Sequence, residues 1–71
     1  MCSEGEKLRA AVIEILQKIV AIATEQLRTI KEDDRARFKA LDEALELAIG
    51  EKERRIGAVH QHEADHGCAG T

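Results

Sequence analysis

The sequence contains no proline, tryptophan or tyrosine, and Phe38 is its single aromatic residue. Any core must therefore be aliphatic, built from isoleucine, leucine, valine and alanine. The chain has too few rings to stack nucleic-acid bases. Its net charge of −3, with acidic and basic residues interspersed, gives no basic groove for a phosphate backbone. We therefore expect no nucleic-acid partner.

Long uninterrupted apolar runs are also missing. Glu14, Gln17 and Lys18 break the most apolar stretch well before the roughly 20 residues that a membrane-spanning helix needs. Glu4 and Glu6, among the first residues, fit poorly with a secretory signal peptide. We therefore expect a cytoplasmic protein with no membrane partner.

The length and composition favour a single helical domain. Seventy-one residues form one domain at most, and a core this small commonly needs self-association, a metal or a disulfide. Alanine, glutamate, lysine, leucine and arginine together make up a little over half of the chain, as they do in long helices and coiled coils. The expected fold class is all-α.

Residues 8–30 carry two sets of apolar residues, each at helical spacing. The first set comprises Leu8, Val12, Ile15, Ile19 and Ile22, and the second comprises Ile13, Leu16, Val20, Ala23, Leu27 and Ile30. The two sets are adjacent on a helix and form a stripe roughly 160° wide, which exceeds the seam that one coiled-coil partner covers. This helix therefore needs two or more neighbours, although the chain can supply only one.

The ends of the first helix follow from its flanking residues. Ser3 and Glu6 form a capping box, which predicts a helix from about residue 4 to 31. The polar run at 31–34 falls on every face, so we expect a turn there, with Asp33 or Asp34 capping a second helix. One continuous helix is the alternative, because no strong helix breaker is present. In the hairpin, Leu27 should lie near Phe38 or Leu41.

The second helix is expected over about residues 35–66, followed by a flexible tail at 67–71. Its apolar stripe is narrower and weakens after Ile49, where Gly50 and Gly57 share one face. These glycines indicate the close approach of another backbone, or else an under-optimised or kinked helix. The residues expected at the helix contacts, within and between chains, are Leu8, Val12, Ile15, Ile19, Ile22, Leu27, Phe38, Leu41, Leu45, Ile49 and Ile56.

The C-terminal run contains all three histidines and invites a chemical interpretation. His62 to His66 formally matches H-E-x-x-H, but zinc peptidases with this motif also need a third ligand and a substrate cleft. Glu63 and His66 match the Glu-x-x-His of di-iron bundles, but here they lie at the end of the helix rather than in its middle. We therefore expect no enzyme and no obligatory cofactor.

Metal binding at the open end of the hairpin is a more plausible chemistry. His62, His66, Cys68 and Cys2 could together hold zinc or another transition metal. The same geometry would also allow a disulfide between the two cysteines, and an exposed polar helix end is the simpler interpretation. A thiolate that binds a metal cannot also be in a disulfide, so the metal site and the disulfide exclude one another.

The sequence thus predicts a small non-enzymatic module for oligomerisation or protein interaction, acting as an adaptor, scaffold or regulator. The expected partner is a second copy of the chain, most simply in a four-helix bundle of two hairpins. Another helical protein is a further candidate partner. The alternative function is a small metal-binding or redox-responsive protein that uses the histidines and cysteines of the two termini.

Overall fold

The computed structural model describes residues 3–66, apart from the side chain of His66. The chain forms two α-helices, α1 (Ser3–Lys31) and α2 (Arg35–His66), which pack against each other as an antiparallel hairpin. The hairpin measures 49 × 16 × 13 Å, close to the length of about 48 Å that 32 helical residues span. The predicted all-α hairpin is confirmed, and the continuous helix is excluded. The predictions for Cys2 and the 67–71 tail lie outside the described residues.

Helix α1 ends in a Schellman motif that reverses the chain. The N–H of Asp34 donates to the carbonyl of Thr29 at 2.9 Å, and the N–H of Asp33 donates to the carbonyl of Ile30 at 3.2 Å. Asp33 adopts the left-handed conformation that this motif requires, with φ of 56°. Glycine usually occupies this position because a Cβ is disfavoured there, so the turn forms at some conformational cost.

Helix α2 begins at Arg35, directly after this motif. The Asp34 carboxylate accepts a hydrogen bond from the N–H of Arg37 at 3.1 Å, and the Asp34 carbonyl accepts from the N–H of Phe38 at 3.0 Å. These contacts make Asp34 the N-cap, because the side chain satisfies an N–H three residues later. Of the two predicted capping residues, Asp34 is therefore the one used.

The helices meet along a seam of buried and half-buried residues. These residues recur along each helix at alternating intervals of three and four. This 3.5-residue repeat is that of an antiparallel coiled coil, and it runs the full length of both helices. The seam consists of Gly5, Leu8, Val12, Ile15, Ile19, Ile22, Gln26 and Thr29 on α1, and Phe38, Leu41, Leu45, Ala48, Lys52, Arg55, Val59 and His62 on α2.

Three of the predicted contact residues lie outside this seam. Leu27 is 56% exposed, and at its level Gln26 and Thr29 are the buried residues that face α2. Ile49 is also exposed, whereas Ile56 is half-buried at the edge of the seam. Leu27 therefore lies outside the seam of the hairpin, because the seam follows positions 26 and 29, and its predicted contact with a second chain stays a prediction.

The two interior glycines of α2 have room around them. A Cβ placed at Gly57 would meet no atom within 4 Å outside its own helix backbone, and one at Gly50 would lie 3.7 Å from Arg54 Nη1. No part of the hairpin therefore requires glycine at either position. Within one chain, this favours an under-optimised helix over the close approach of a second backbone.

Candidate interaction surface

One flank of the hairpin carries charged side chains that pair with one another. Arg55 reaches across the seam, where its Nη1 donates to the carbonyl of Ala11 at 2.7 Å and lies 3.3 Å from Glu14 Oε1. Its Nε donates to Glu51 Oε1 at 3.1 Å, one turn away on α2. Near the turn, Arg37 Nη2 donates to Glu25 Oε1 at 3.3 Å, again joining the two helices. These bonds fix the register of the hairpin on this side.

The electrostatics of the charged flank centre on one ion pair. The hydrogen bond from Arg55, followed by the positive charge of its guanidinium, lowers the pKa of Glu51 below its ordinary value of 4.5. The hydrogen bond to Glu51 in turn raises the pKa of Arg55. Both groups therefore remain charged at neutral pH and leave this flank polar.

The opposite flank of α1 carries the second apolar set of residues, all of them exposed. We call this set the outer stripe: Ile13, Leu16, Val20, Ala23, Leu27 and Ile30. The exposed fractions are 56% for Ile13, 64% for Val20 and 61% for Ile30, and 42% for Leu16. From Ile13 to Ile30 the outer stripe is about 26 Å long at 1.5 Å per residue.

Helix α2 extends this apolar surface at one end. A shallow groove between the helices is lined by Val12, Ile13, Ile56 and Val59, with Arg9 beside them. Farther along α1, a second shallow hollow is lined by Ile13, Leu16, Gln17 and Val20. The exposed apolar surface therefore lies mainly on α1, and Ile56 is the part of α2 that adjoins it.

The seam itself contains several polar residues. Gln26, Thr29 and His62 are buried, and Lys52 and Arg55 occupy seam positions at half-burial. Ile15 and Ala48 are the buried hydrophobic residues within 3–66. Hydrophobicity alone misses the polar members, because only the three–four spacing places them in register with the aliphatic ones. Most apolar residues of the seam are therefore only half-buried between the two helices of one hairpin.

The predicted metal ligands are only partly within the described chain. His62 points into the seam and is 6% exposed, and it lines a shallow hollow with Glu4, Leu8 and Asp65. Cys2, Cys68 and the side chain of His66 lie outside the described residues. Within residues 3–66, no group of three or more histidine, cysteine, aspartate or glutamate side chains is arranged to hold a metal ion. The four-residue metal site stays a prediction.

No protein-family model, curated protein or solved structure matches this chain. In the described part of the chain, neither helix combines the length and apolar content that crossing a membrane requires.

Proposed function

We propose that this chain is a non-enzymatic oligomerisation module. Two hairpins associate through their outer stripes, most simply as a four-helix bundle of two chains. In this role the protein serves as an adaptor, scaffold or regulator whose active form is the assembled one. The observation that carries the proposal is the exposure of five large aliphatic side chains in one row on α1.

The distribution of charge supports this arrangement. The flank with Arg55, Glu14 and Glu51 is held in ion pairs that a partner would have to desolvate. The outer stripe has charged neighbours only at its two ends on α1, Arg9 beside Glu63 and Lys31, whereas Ala10, Gln17 and Thr24 along its length are uncharged. A contiguous apolar surface bordered by polar residues is typical of an interaction site.

A second copy of the chain can cover the outer stripe without any other partner. Each hairpin offers the same aliphatic row, so a two-fold axis brings two identical rows together, as in the isologous interfaces of most homodimers. The limited apolar burial inside one hairpin, where Ile15 and Ala48 are the buried hydrophobic residues of the described chain, favours additional burial between chains.

The test compares two charged substitutions at exposed aliphatic positions. Val20 is 64% exposed on the outer stripe, and Leu47 is 76% exposed on the flank of α2 that also carries Glu51. We expect the wild-type protein to have the molar mass of two 7.9 kDa chains at micromolar concentration. Val20→Glu should convert it to monomers, whereas Leu47→Glu should leave the dimer intact.

Sedimentation equilibrium measures the molar mass, and circular dichroism at 222 nm checks that each variant keeps its helices. A monomeric wild-type protein at micromolar concentration would contradict the proposal. A Val20→Glu protein that remains a dimer would do the same, because the outer stripe would then lie outside the contact between chains.

A further inference from the structure

The outer stripe is nearly the same when read in either direction. Its members are separated by three, four, three, four and three residues. The residue types mirror as well, since Ile13 corresponds to Ile30 and Leu16 to Leu27. Only the central pair, Val20 and Ala23, differs, and there a larger residue corresponds to a smaller one. An antiparallel partner therefore meets matching side chains along the whole row.

This mirror symmetry predicts how two copies would be aligned. With a two-fold axis between residues 20 and 23, Ile13 faces Ile30 of the partner subunit, and Leu16 faces Leu27 of the partner subunit. Val20 then meets Ala23 of the partner subunit, so the two central layers of the contact have the same volume. In a parallel pair, two alanines would meet at position 23 and leave a gap in the middle of the contact.

The charges at the ends of the outer stripe favour the same orientation. Arg9 lies one turn before Ile13. Its Nη2 is 3.9 Å from Glu63 Oε2, and its side chain is 38% exposed. At the other end, Lys31 follows Ile30, and the acidic residues Glu32, Asp33 and Asp34 come next. An antiparallel pair brings Arg9 to the end of the partner subunit's α1 at which this acidic turn lies. A parallel pair would set Arg9 beside its own copy, which is repulsive.

The border of the outer stripe allows the two helices to approach. Gln17 and Thr24 are exposed on its far side and carry no charge. The Thr24 hydroxyl donates to the carbonyl of Val20 at 2.8 Å, so it already has a partner within its own helix. Burying this border therefore leaves the threonine hydroxyl hydrogen-bonded, which removes one cost of close packing.

We propose that two copies of α1 pack antiparallel through the outer stripe, with Ile13 against Ile30, Leu16 against Leu27 and Val20 against Ala23 of the partner subunit. Each copy of α2 stays packed against its own α1 through the seam. This inference rests on the proposed function, since it specifies the geometry of the same self-association.

Disulfide trapping distinguishes the two orientations. Both native cysteines are first replaced by Cys2→Ser and Cys68→Ser, and Ile13→Cys and Ile30→Cys are then made in separate chains. A disulfide needs Cα atoms within about 7 Å of one another. In the antiparallel pair, the two copies of position 13 lie about 26 Å apart along the axis, whereas positions 13 and 30 face each other.

We expect each variant alone to stay unlinked under mild oxidation. An equimolar mixture of the two should cross-link up to about half of its dimers, the statistical share of mixed pairs. Leu47→Cys in the same background is the control, and it should stay unlinked alone and in mixture with either variant. Circular dichroism at 222 nm and the molar mass before oxidation establish that each variant is folded and dimeric.

The outcomes separate this inference from the proposed function. A dimer in which Ile13→Cys links to its own copy overturns the antiparallel orientation and leaves self-association standing. A dimer that forms no link in the mixture overturns the pairing of positions 13 and 30. A monomeric cysteine-free background protein overturns both proposals.

Discussion

Arg55 donates from Nη1 to the main-chain carbonyl of Ala11, joining α2 to α1 at 2.7 Å. A carbonyl in mid-helix already accepts one intrahelical hydrogen bond, and its second lone pair takes this one. Arg55 occupies a seam position, so its aliphatic stem packs between the helices while its guanidinium reaches the charged flank. The same side chain therefore sets the register of the hairpin and holds Glu51 in place.

The Glu51–Arg55 pair predicts a pH dependence of stability. Because the pKa of Glu51 is lower in the folded state than its ordinary value of 4.5, ionised Glu51 stabilises the hairpin. That stabilisation is present in full above the unfolded-state pKa and is lost as the pH falls through the folded-state pKa. Urea unfolding followed from about pH 6 to about pH 3 should show the loss. Glu51→Gln should show a smaller one, and equal losses in the two proteins would contradict this assignment.

Asp33→Gly should stabilise the hairpin. The φ of 56° at Asp33 suits glycine better than a residue with a Cβ, so we expect a gain of about 0.5–1 kcal/mol in the free energy of unfolding. The ion pair between Asp33 Oδ1 and Arg35 Nε, at 3.6 Å, is almost fully exposed and its loss should matter little. Asp33→Ala is the control and should give no gain. A lower urea midpoint for Asp33→Gly would rule out the strained-turn interpretation.

Asp34→Ala should have the opposite effect. Removing the carboxylate leaves the N–H of Arg37 without its capping partner, which typically costs about 1 kcal/mol. Asp34→Asn retains an oxygen at the same position and should keep most of the stability. The two variants are compared with the wild-type protein by urea unfolding, and equal stability of Asp34→Ala and Asp34→Asn would show that the cap contributes nothing.

Gly57→Ala tests whether α2 is under-optimised. Because the added Cβ would meet no atom within 4 Å outside its own helix backbone, the substitution should raise the free energy of unfolding by up to about 1 kcal/mol through helix propensity alone. Gly50→Ala, whose Cβ would make an ordinary contact with Arg54, should act in the same direction. Thermal unfolding at fixed protein concentration is the measurement. Weakened association in Gly57→Ala would indicate instead that a second chain packs against this glycine.

The sequence was sufficient to predict the two-helix hairpin, because a capping aspartate and a polar run on every face are local signals. It also identified both apolar sets of α1. It did not show which of the two sets faces α2. The set that faces α2 is continued by Gln26 and Thr29, and hydrophobicity does not identify these polar residues as part of the seam. The left-handed conformation of Asp33 could not be predicted either, because aspartate occurs at such positions less often than glycine.

In the proposed dimer, folding would depend on how much protein is present, because Ile15 and Ala48 are the buried hydrophobic residues of the described chain. In a dimer whose remaining apolar burial comes from association, folding and assembly become one reaction governed by mass action. Each tenfold dilution then lowers the stability of the assembled state by about 1.4 kcal/mol. Newly made chains would remain exposed to proteolysis until enough of them have accumulated to pair, so the rate of synthesis would set a threshold for the functional form.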